Sequence, residues 1–285
     1  MQGFCYNCTK KAFKSCNITL LTFNSKWSII ITVTKYKYKF IGDDSQMKCD
    51  LKVIVEGDYA GFNRPELKTE RVTYDVPTVG ALEGMLKCVY WKPAFRIKID
   101  KIVVFNPIKT VNIRRNEVKT KLPLKAVRAQ MNGGGAAVIY TPDVRTQRGS
   151  VVLKDVKYGI EFHIERTFIR SDHEDECEEK HYNIMLRRLK KGQCFRQPCL
   201  GCREFSVKRL ELVDDLDLSE VAEENMGRHD LGLMLYGMRF RDGGKPINGD
   251  WEHPQFSDKA DAMYYHPYMI DGVIDVAEYR KELKC

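Results

Sequence analysis

The sequence has no long run of apolar residues, which excludes a helix that spans a membrane. Such a helix needs about 20 consecutive apolar residues, whereas the best stretch here, residues 27–33, is short and interrupted by Ser28 and Thr32. The first residues also lack the layout of a secretory signal, because no compact apolar stretch is followed by a small-residue cleavage site. We therefore expect a cytoplasmic protein with no membrane partner.

A strong excess of one charge is also missing from most of the chain. The formal net charge is +8 at pH 7, but residues 1–46 contain seven Lys and two Asp and account for +5 of it. Net charge is then weak evidence for a nucleic-acid partner, and local clusters of basic residues have to supply that evidence.

Disulfides and metal sites have little support, although the chain contains ten cysteines. The cysteines are scattered, and a chain of this length can bury a core without cross-links, so we expect free thiols in a reducing compartment. Cys5/Cys8 and Cys199/Cys202 have the spacing of zinc knuckles, but a structural zinc site needs four ligands and these pairs lie at opposite ends of the chain. We expect no metal and no cofactor; a zinc-dependent nucleic-acid-binding protein is the distant alternative.

Regular patterning is absent from residues 1–46 and begins abruptly after Met47, so we interpret residues 1–46 as an atypical N-terminal extension. A first strand follows in which apolar and polar positions alternate, the period of a strand with one buried face. Its apolar positions are Cys49, Leu51, Val53 and Val55.

Two amphipathic helices separate the predicted strands. In the first, Pro77 occupies the first helical position and Pro93 stops the helix. In the second, Gly192 supplies the C-terminal stop. The apolar stripes are Leu82, Met85, Leu86 and Val89 in the first helix and Tyr182, Met185, Leu186 and Leu189 in the second.

Alternation predicts three further strands, at residues 95–105, at residues 158–164 and around Phe205 and Val207. The order β-α-β-β-α-β predicts an α+β fold over residues 47–210, the ferredoxin-like (RRM-like) arrangement shared with RNA-recognition modules. Residues 211–285 begin acidic and continue with short Gly- and aromatic-rich strands such as residues 231–240. We expect a small C-terminal antiparallel β domain there.

A basic insertion interrupts this domain between the second and third strands, and we expect residues 109–150 to be irregular. It contains only Glu117 and Asp143 as acidic residues, and a loop of this length inside a compact domain is usually functional or disordered. Its basic residues are Lys109, Arg114, Arg115, Lys119, Lys121, Lys125, Arg128, Arg145 and Arg148. We predict that they bind RNA by following the phosphate backbone; a solvated surface loop is the alternative.

Tyr90 and His181 are the residues that the predicted topology brings together. The two helices pack antiparallel on one face of the sheet, so the end of the first lies beside the start of the second, and each residue flanks an apolar stripe. A lone His beside such a stripe is more often a packing residue than a catalyst, so the residues alone leave both roles open. Lys180 points about 100° away from His181 and can reach a phosphate with its long side chain. His163, on the polar face of the third strand, is expected in a solvated cross-strand pair.

An ordered set of short motifs runs from about Met47 to the C-terminus. The motifs are Gly57-Asp58-Tyr59-Ala60 with Phe62 and Pro65, Tyr74-Asp75-Val76-Pro77-Thr78, Tyr90-Trp91-Lys92-Pro93, Lys180-His181-Tyr182, and Leu200-Gly201 before Arg203-Glu204. Together they resemble the Cas-five endoribonucleases of type I-C (Dvulg subtype) CRISPR systems. Residues 1–46 lie outside the resemblance, and Cys199 and Cys202 are a local departure that leaves the glycine and the arginine in place.

The resemblance implies a ferredoxin-like endoribonuclease that cuts the precursor CRISPR transcript within each repeat, beside a hairpin. It also implies that the protein keeps the repeat-derived 5′ handle and joins the backbone and large subunits of a type I-C interference complex. The family's catalytic residues fall on Tyr90, Lys180 and His181. The main alternative is a subunit of the same fold that caps guide RNA without cutting it.

Cleavage without a metal would use the ribose 2′-OH as the nucleophile and leave a 2′,3′-cyclic phosphate and a 5′-hydroxyl. It requires removal of the 2′-OH proton, stabilisation of the phosphate oxygens and protonation of the departing 5′ oxygen. His181 can titrate near neutrality, Tyr90 can donate or orient, and Lys180 can offset the phosphate charge. Which residue is the base and which is the acid stays open.

Overall fold

The computed structural model describes residues 17–23, 26–33, 36–39, 50–67, 69–167 and 178–283, the first three ranges as backbone only. The chain divides into two compact units, Met1–Cys49 and Asp50–Cys285. None of the described helices is long and apolar enough to cross a membrane. Every residue predicted to cut or bind RNA belongs to the second unit.

The described part of the first unit is a three-stranded antiparallel sheet. Its strands are β1 (Asn17–Phe23), β2 (Lys26–Val33) and β3 (Tyr36–Lys39). They pair in chain order, with Asn17 opposite Thr32 and Val33 opposite Tyr36. Residues 1–46 have no sustained apolar alternation, so the pattern did not predict these strands.

The described part of the second unit contains two sheets and four α-helices. Its strands are β4 (Leu51–Ala60), β5 (Arg71–Val72), β6 (Phe95–Val104), β7 (Thr110–Val118), β8 (Arg145–Arg166), β9 (Arg209–Val213), β10 (Arg228–Asp230), β11 (Met234–Phe240), β12 (Ala260–Tyr265), β13 (Tyr268–Ile270) and β14 (Val273–Asp275). Its helices are α1 (Val79–Lys87), α2 (Leu124–Met131), α3 (Glu178–Lys190) and α4 (Val276–Glu282). The larger sheet has the order β10-β13-β14-β6-β8-β4-β9, with β5 and β7 also paired to β8. β11 and β12 form a separate two-stranded sheet.

One hydrophobic core joins the large sheet to α1 and α3. On β4, Leu51, Val53 and Val55 are buried and the residues between them are half-buried, as their alternation predicts. The buried residues of the helices are Val79, Leu82, Met85 and Leu86 on α1 and His181, Met185 and Leu189 on α3. Each fully buried aliphatic side chain stabilises the fold by about 1.5–3 kcal/mol, so these stripes hold both helices on the sheet.

The start of α1 differs from the prediction, which placed Pro77 in the first turn. Thr78 is the N-cap, because its side-chain oxygen accepts a hydrogen bond from the backbone N–H of Ala81. Threonine is a preferred cap since its hydroxyl satisfies an amide that has no partner within the helix. Pro77 therefore precedes the cap, and the helix begins at Val79.

More than half of residues 109–150 is regular, which corrects the expectation of an irregular insertion; residues 119–123 and 132–144 are turns and coil. β7 pairs antiparallel with the first part of β8, from Thr110 opposite Leu153 to Val118 opposite Arg145, and α2 lies in the connection. We call residues 110–150 the arm. Neither β7 nor α2 contains a buried residue. Elements without a buried face do not need apolar residues at regular spacing, so the sequence pattern could not reveal them.

The fourth strand of the predicted domain lies a few residues later than expected. Pairing with β4 begins at Arg209, opposite Glu56, and continues through Val213. Phe205 and Val207, on which the prediction rested, are buried in the turn that precedes β9. Their apolar character reflects packing in this turn rather than strand pairing.

Residues 211–285, predicted as a small β domain, contribute to both sheets. β14 pairs with β6, with Val273 opposite Val103, so part of this segment extends the large sheet. The strand expected at residues 231–240 is β11, which pairs with β12 outside that sheet. The domain boundary at residue 210 stays a prediction.

Candidate active site

Tyr90 and His181 meet in the second unit. The Tyr90 hydroxyl lies 2.9 Å from Nδ1 of His181, although the two residues are 91 positions apart. Tyr90 is 7% exposed and His181 is 3% exposed. The proximity agrees with the predicted placement of the end of α1 beside the start of α3.

The position of Tyr90 follows from how α1 ends. The helix stops at Lys87, and Cys88 closes it by donating its backbone N–H to carbonyls of the last turn. Two residues later the Tyr90 ring stacks on Phe95, with centroids 5.3 Å apart and an interplanar angle of 25°. Stacked aromatic pairs stabilise by about 0.5–1.5 kcal/mol beyond their buried area, so Phe95 at the start of β6 orients the Tyr90 ring.

The position of His181 follows from the register of α3. His181, Met185 and Leu189 are the buried residues of α3, spaced four apart on one face. His181 therefore lies within the buried stripe, whereas the sequence placed it at the stripe's flank. Its ring centroid is 4.9 Å from that of Phe95, so one aromatic ring supports both members of the hydrogen-bonded pair.

The Tyr90–His181 hydrogen bond can hold its proton in two ways. In one tautomer the Tyr90 hydroxyl donates to Nδ1; in the other, Nδ1–H donates to the hydroxyl oxygen. In both, a change of charge on one ring is felt by the other. The pair can therefore take up or release a proton as a unit.

Lys180 is not brought into this hydrogen bond. It is exposed on α3 directly before His181, and neighbouring helical residues point about 100° apart. Of the three residues taken from the family resemblance, Tyr90 and His181 are therefore hydrogen-bonded to each other, whereas Lys180 is exposed to solvent. A long side chain there can still reach a phosphate bound above the pair.

Arg188 is a contact of Tyr90 that the sequence did not single out. Its guanidinium carbon lies 5.3 Å from the centre of the Tyr90 ring, and its Nη1 donates to the Val89 carbonyl at 2.7 Å. A cation over an aromatic face stabilises the pair electrostatically. The available signal was spacing, because Arg188 is seven residues after His181 and so lies on the same side of the helix.

The nine basic residues predicted to bind RNA divide into two groups in the structure. Arg115 donates to Ser150 Oγ at 2.9 Å and pairs with Glu204, and Arg148 pairs with Glu117 at 3.6 Å. These two therefore tie the arm together and to its surroundings. The other seven are exposed and are Lys109, Arg114, Lys119, Lys121, Lys125, Arg128 and Arg145.

His163 belongs to a buried polar network, which corrects the expectation of a solvated pair. Its Nδ1 lies 2.5 Å from Asp100 Oδ2 and its Nε2 lies 3.0 Å from Glu165 Oε1. Arg280 on α4 donates to the second oxygen of Asp100 at 3.2 Å. Burial alone would lower the pKa of His163, but hydrogen bonds to the two carboxylates and their charges outweigh burial and raise it to about 9.

One group of three potential metal ligands lies close together among the described residues. The donor atoms of Asp50, Asp100 and His163 lie within 4.8 Å of one another. Asp100 and His163 are already bonded to each other, and Arg280 places a cation on Asp100, so this group is unsuited to a metal ion. Cys199 and Cys202 belong to no such group in the part of the chain that the structure describes. Cys5 and Cys8, the other half of the zinc alternative, lie outside the described residues.

Comparison with known proteins identifies relatives over the second unit. A family model described as "CRISPR-associated protein (Cas_Cas5)" matches residues 50–277. The chain is 40% identical over 240 residues to the CRISPR pre-crRNA endoribonuclease Cas5d of Mannheimia succiniciproducens, covering 82% of this chain and 98% of the relative. It is 35% identical over 238 residues to the protein of the same name from Thermus thermophilus, covering 82% and 94%.

A solved structure supports the fold. The protein titled "Crystal Structure of CRISPR-associated Protein" matches with a TM-score of 0.52 and 24% identity, covering 79% of this chain and 90% of that one. The shared fold is a mixed α/β arrangement with a mostly antiparallel sheet.

Proposed function

Because this chain belongs to the Cas5d family of CRISPR-associated proteins, we propose that it is an endoribonuclease that cleaves precursor CRISPR RNA within its repeats. The resemblance noted in the sequence motifs is confirmed by the family match over residues 50–277. The structural observation that carries the proposal is the hydrogen bond between Tyr90 and His181, two groups able to exchange a proton at one buried corner of the fold.

The proposed chemistry uses the RNA's own 2′-OH as the nucleophile, without a metal. The Tyr90–His181 pair serves proton transfer to or from the reacting oxygens, which is typically worth about 10²–10⁴ in rate. Lys180, exposed beside the pair, stabilises the negative charge that develops on the phosphate. The products are a 2′,3′-cyclic phosphate and a 5′-hydroxyl.

The proposal includes a ferredoxin-like core. Support comes from the element order β4-α1-β6-β8-α3-β9 and from the sheet order β6-β8-β4-β9, in which the first and third strands are central. Residues 211–285 are then an appended β segment and residues 1–46 a separate extension.

RNA and protein partners complete the proposal. The exposed cations of the arm contact the phosphates of the repeat hairpin, and the protein keeps the 5′ handle after cleavage. It then joins the backbone and large subunits of a type I-C interference complex in the cytoplasm.

Incubating the purified protein with a single repeat hairpin in EDTA-containing buffer tests this function. We expect one cut beside the hairpin, a product with a 2′,3′-cyclic phosphate, and retention of the 5′ handle by the protein. Tight binding with no cut would instead favour the alternative, a subunit that caps guide RNA.

A further inference from the structure

A cavity of about 160 Å³ lies between the end of α1 and the segment that follows α3. Its apolar walls include Val89 and Leu189, and its polar rim includes Gln193, Cys194 and Lys208. Binding sites for small ligands combine mostly apolar walls with a few placed polar groups. A nucleobase has two apolar faces and a polar edge, so this lining suits one base.

The cavity adjoins the candidate active site through two shared residues. Val89 lines the cavity and directly precedes Tyr90, while Arg188 both lines the cavity and contacts the Tyr90 ring. The segment after α3 is tied to the end of α1, because the backbone N–H of Phe195 donates to the Cys88 carbonyl at 3.0 Å. An RNA strand whose phosphate lies beside Tyr90 is therefore within reach of the cavity.

The chain segment that supplies most of the cavity lining also carries an exposed aromatic ring and several cations. Phe195, which follows the cavity residue Cys194, is 65% exposed, and the neighbouring Arg196 is also exposed. Residues 180–203 contain no acidic residue, and their basic residues are Lys180, Arg187, Arg188, Lys190, Lys191, Arg196 and Arg203. Aromatic rings that stack on bases, set among cations that contact phosphates, are typical of surfaces that bind single-stranded RNA.

We propose that this cavity and the adjoining Phe195 ring bind one unpaired nucleotide of the repeat RNA next to the scissile phosphate. The proposal rests on the proposed function, since it takes the RNA at Tyr90 and His181 as given. The base stacks on Phe195 at the mouth of the cavity, and its phosphate contacts cations of α3 and of the segment that follows it. This site sets which nucleotide neighbours the cut, a role separate from hairpin binding by the arm.

Coupling between a protein change and a substrate change tests the site. Phe195→Ala should weaken binding of the intact repeat RNA about five- to hundredfold, the range for loss of one base–aromatic stack. Phe256→Ala, at a ring 53% exposed in the C-terminal segment, is the matched control and should stay within twofold. Abasic sugars are then placed singly at each position around the cut. At the position whose base stacks on Phe195, the abasic RNA should bind Phe195→Ala and the parent protein with equal affinity. Once that base is missing, loss of the ring has no further effect, which is the non-additivity expected of groups in contact.

Alkylation of Cys194 gives a readout that does not depend on cleavage. This thiol is exposed at the cavity rim, and bound RNA should slow its reaction with iodoacetamide, followed by mass spectrometry of residues 192–196. RNA that is abasic at the coupled position should protect less. Equal losses with Phe195→Ala on intact and on every abasic RNA, or no protection of Cys194, would overturn the nucleotide site. Cleavage of the intact hairpin by the parent protein tests the endoribonuclease function separately, so failure of one is distinguishable from failure of the other.

Discussion

The Tyr90 hydroxyl and Nδ1 of His181 are 2.9 Å apart, and the Phe95 ring contacts both side chains. The pair is assembled from the end of α1, the start of β6 and the first half of α3. Its geometry therefore depends on the packing of the whole second unit, whereas its chemistry depends on two functional groups. A substitution that removes a functional group but keeps the contacts with the Phe95 ring can separate the effect on chemistry from the effect on packing.

Replacing His181 with alanine should abolish cleavage of repeat RNA and leave hairpin affinity within a few-fold of the parent protein. Proton transfer is typically worth about 10²–10⁴ in rate, whereas affinity is spread over many phosphate and base contacts. Single-turnover cleavage and equilibrium binding, both in EDTA-containing buffer, measure the two effects. Because His181 is buried, a circular dichroism melt has to show that the variant is folded.

The substrate offers a matching test of the nucleophile. A single 2′-deoxy sugar immediately 5′ of the scissile phosphate should bind normally and resist the parent protein, because the internal nucleophile is missing. Cleavage of this RNA at the same phosphate, or loss of all cleavage in EDTA, would point to a metal-bound water and contradict the roles of Tyr90, Lys180 and His181.

Tyr90→Phe should lower the cleavage rate by about 10²-fold or more while the protein stays folded, with a melting temperature lowered by only a few degrees. The substitution removes the hydroxyl bonded to His181 but keeps the ring that stacks on Phe95. Tyr59→Phe is the matched control, since its ring is 40% exposed and lies outside the pair. A Tyr90→Phe enzyme that cuts at the parent rate would leave the hydroxyl without a catalytic role.

The site was partly predictable because topology alone places the two helix ends together. The β-α-β-β-α-β order sets α1 and α3 side by side, so a residue just after α1 and one near the start of α3 must meet. The contribution of Arg188 was not predicted because an arginine beside an apolar stripe usually covers it with its methylene groups and turns its charge outward. Its contact with Tyr90 depends on how closely the helices approach, which sequence spacing does not reveal.

The fold was predictable where one face of an element is buried and not elsewhere. β4 and α1 have buried stripes and were found at nearly the right positions. β7 and α2 in the arm contain no buried residue, so no sustained apolar period marked them in the sequence. His163 looked solvated because its neighbours on the strand are acidic, and only Arg280, 117 residues later in the sequence, reveals that those carboxylates belong to a buried network.

Neutralising four exposed cations of the arm should weaken hairpin binding and flatten its salt dependence. The residues are Lys119, Lys121, Lys125 and Arg128, each changed to alanine. Each lost phosphate contact lowers the slope of log K against log salt by about 0.7–0.9. A variant with Arg239, Lys245, Lys259 and Lys281 changed to alanine is the control for net charge. If the two variants show equal slopes of log K against log salt, the arm does not contact the RNA phosphates and is a solvated surface segment.

A chain that begins at Met47 should fold and cut as well as the full chain. The family match begins at residue 50, and residues 50–285 form a compact unit of their own. The melting temperatures of the two proteins should agree within error. Their cleavage rates should agree within about twofold. A truncated chain that fails to fold would show that the leading segment is structural.

His163→Gln should destabilise the protein near neutral pH and reduce the dependence of its stability on pH. The pKa of His163 is raised to about 9 in the folded protein, above its ordinary value of 6.5. The proton is therefore bound more tightly in the folded state, so the stabilisation is complete below about pH 6.5 and is lost as the pH rises through about 9. Urea unfolding of the parent protein should show this loss, on the order of 1–3 kcal/mol, and His163→Gln should be less stable at about pH 6 by a similar amount. The exposed His253→Gln is the matched control, and a parent protein equally stable at about pH 6 and pH 9.5 would contradict the charged state of His163 in the network.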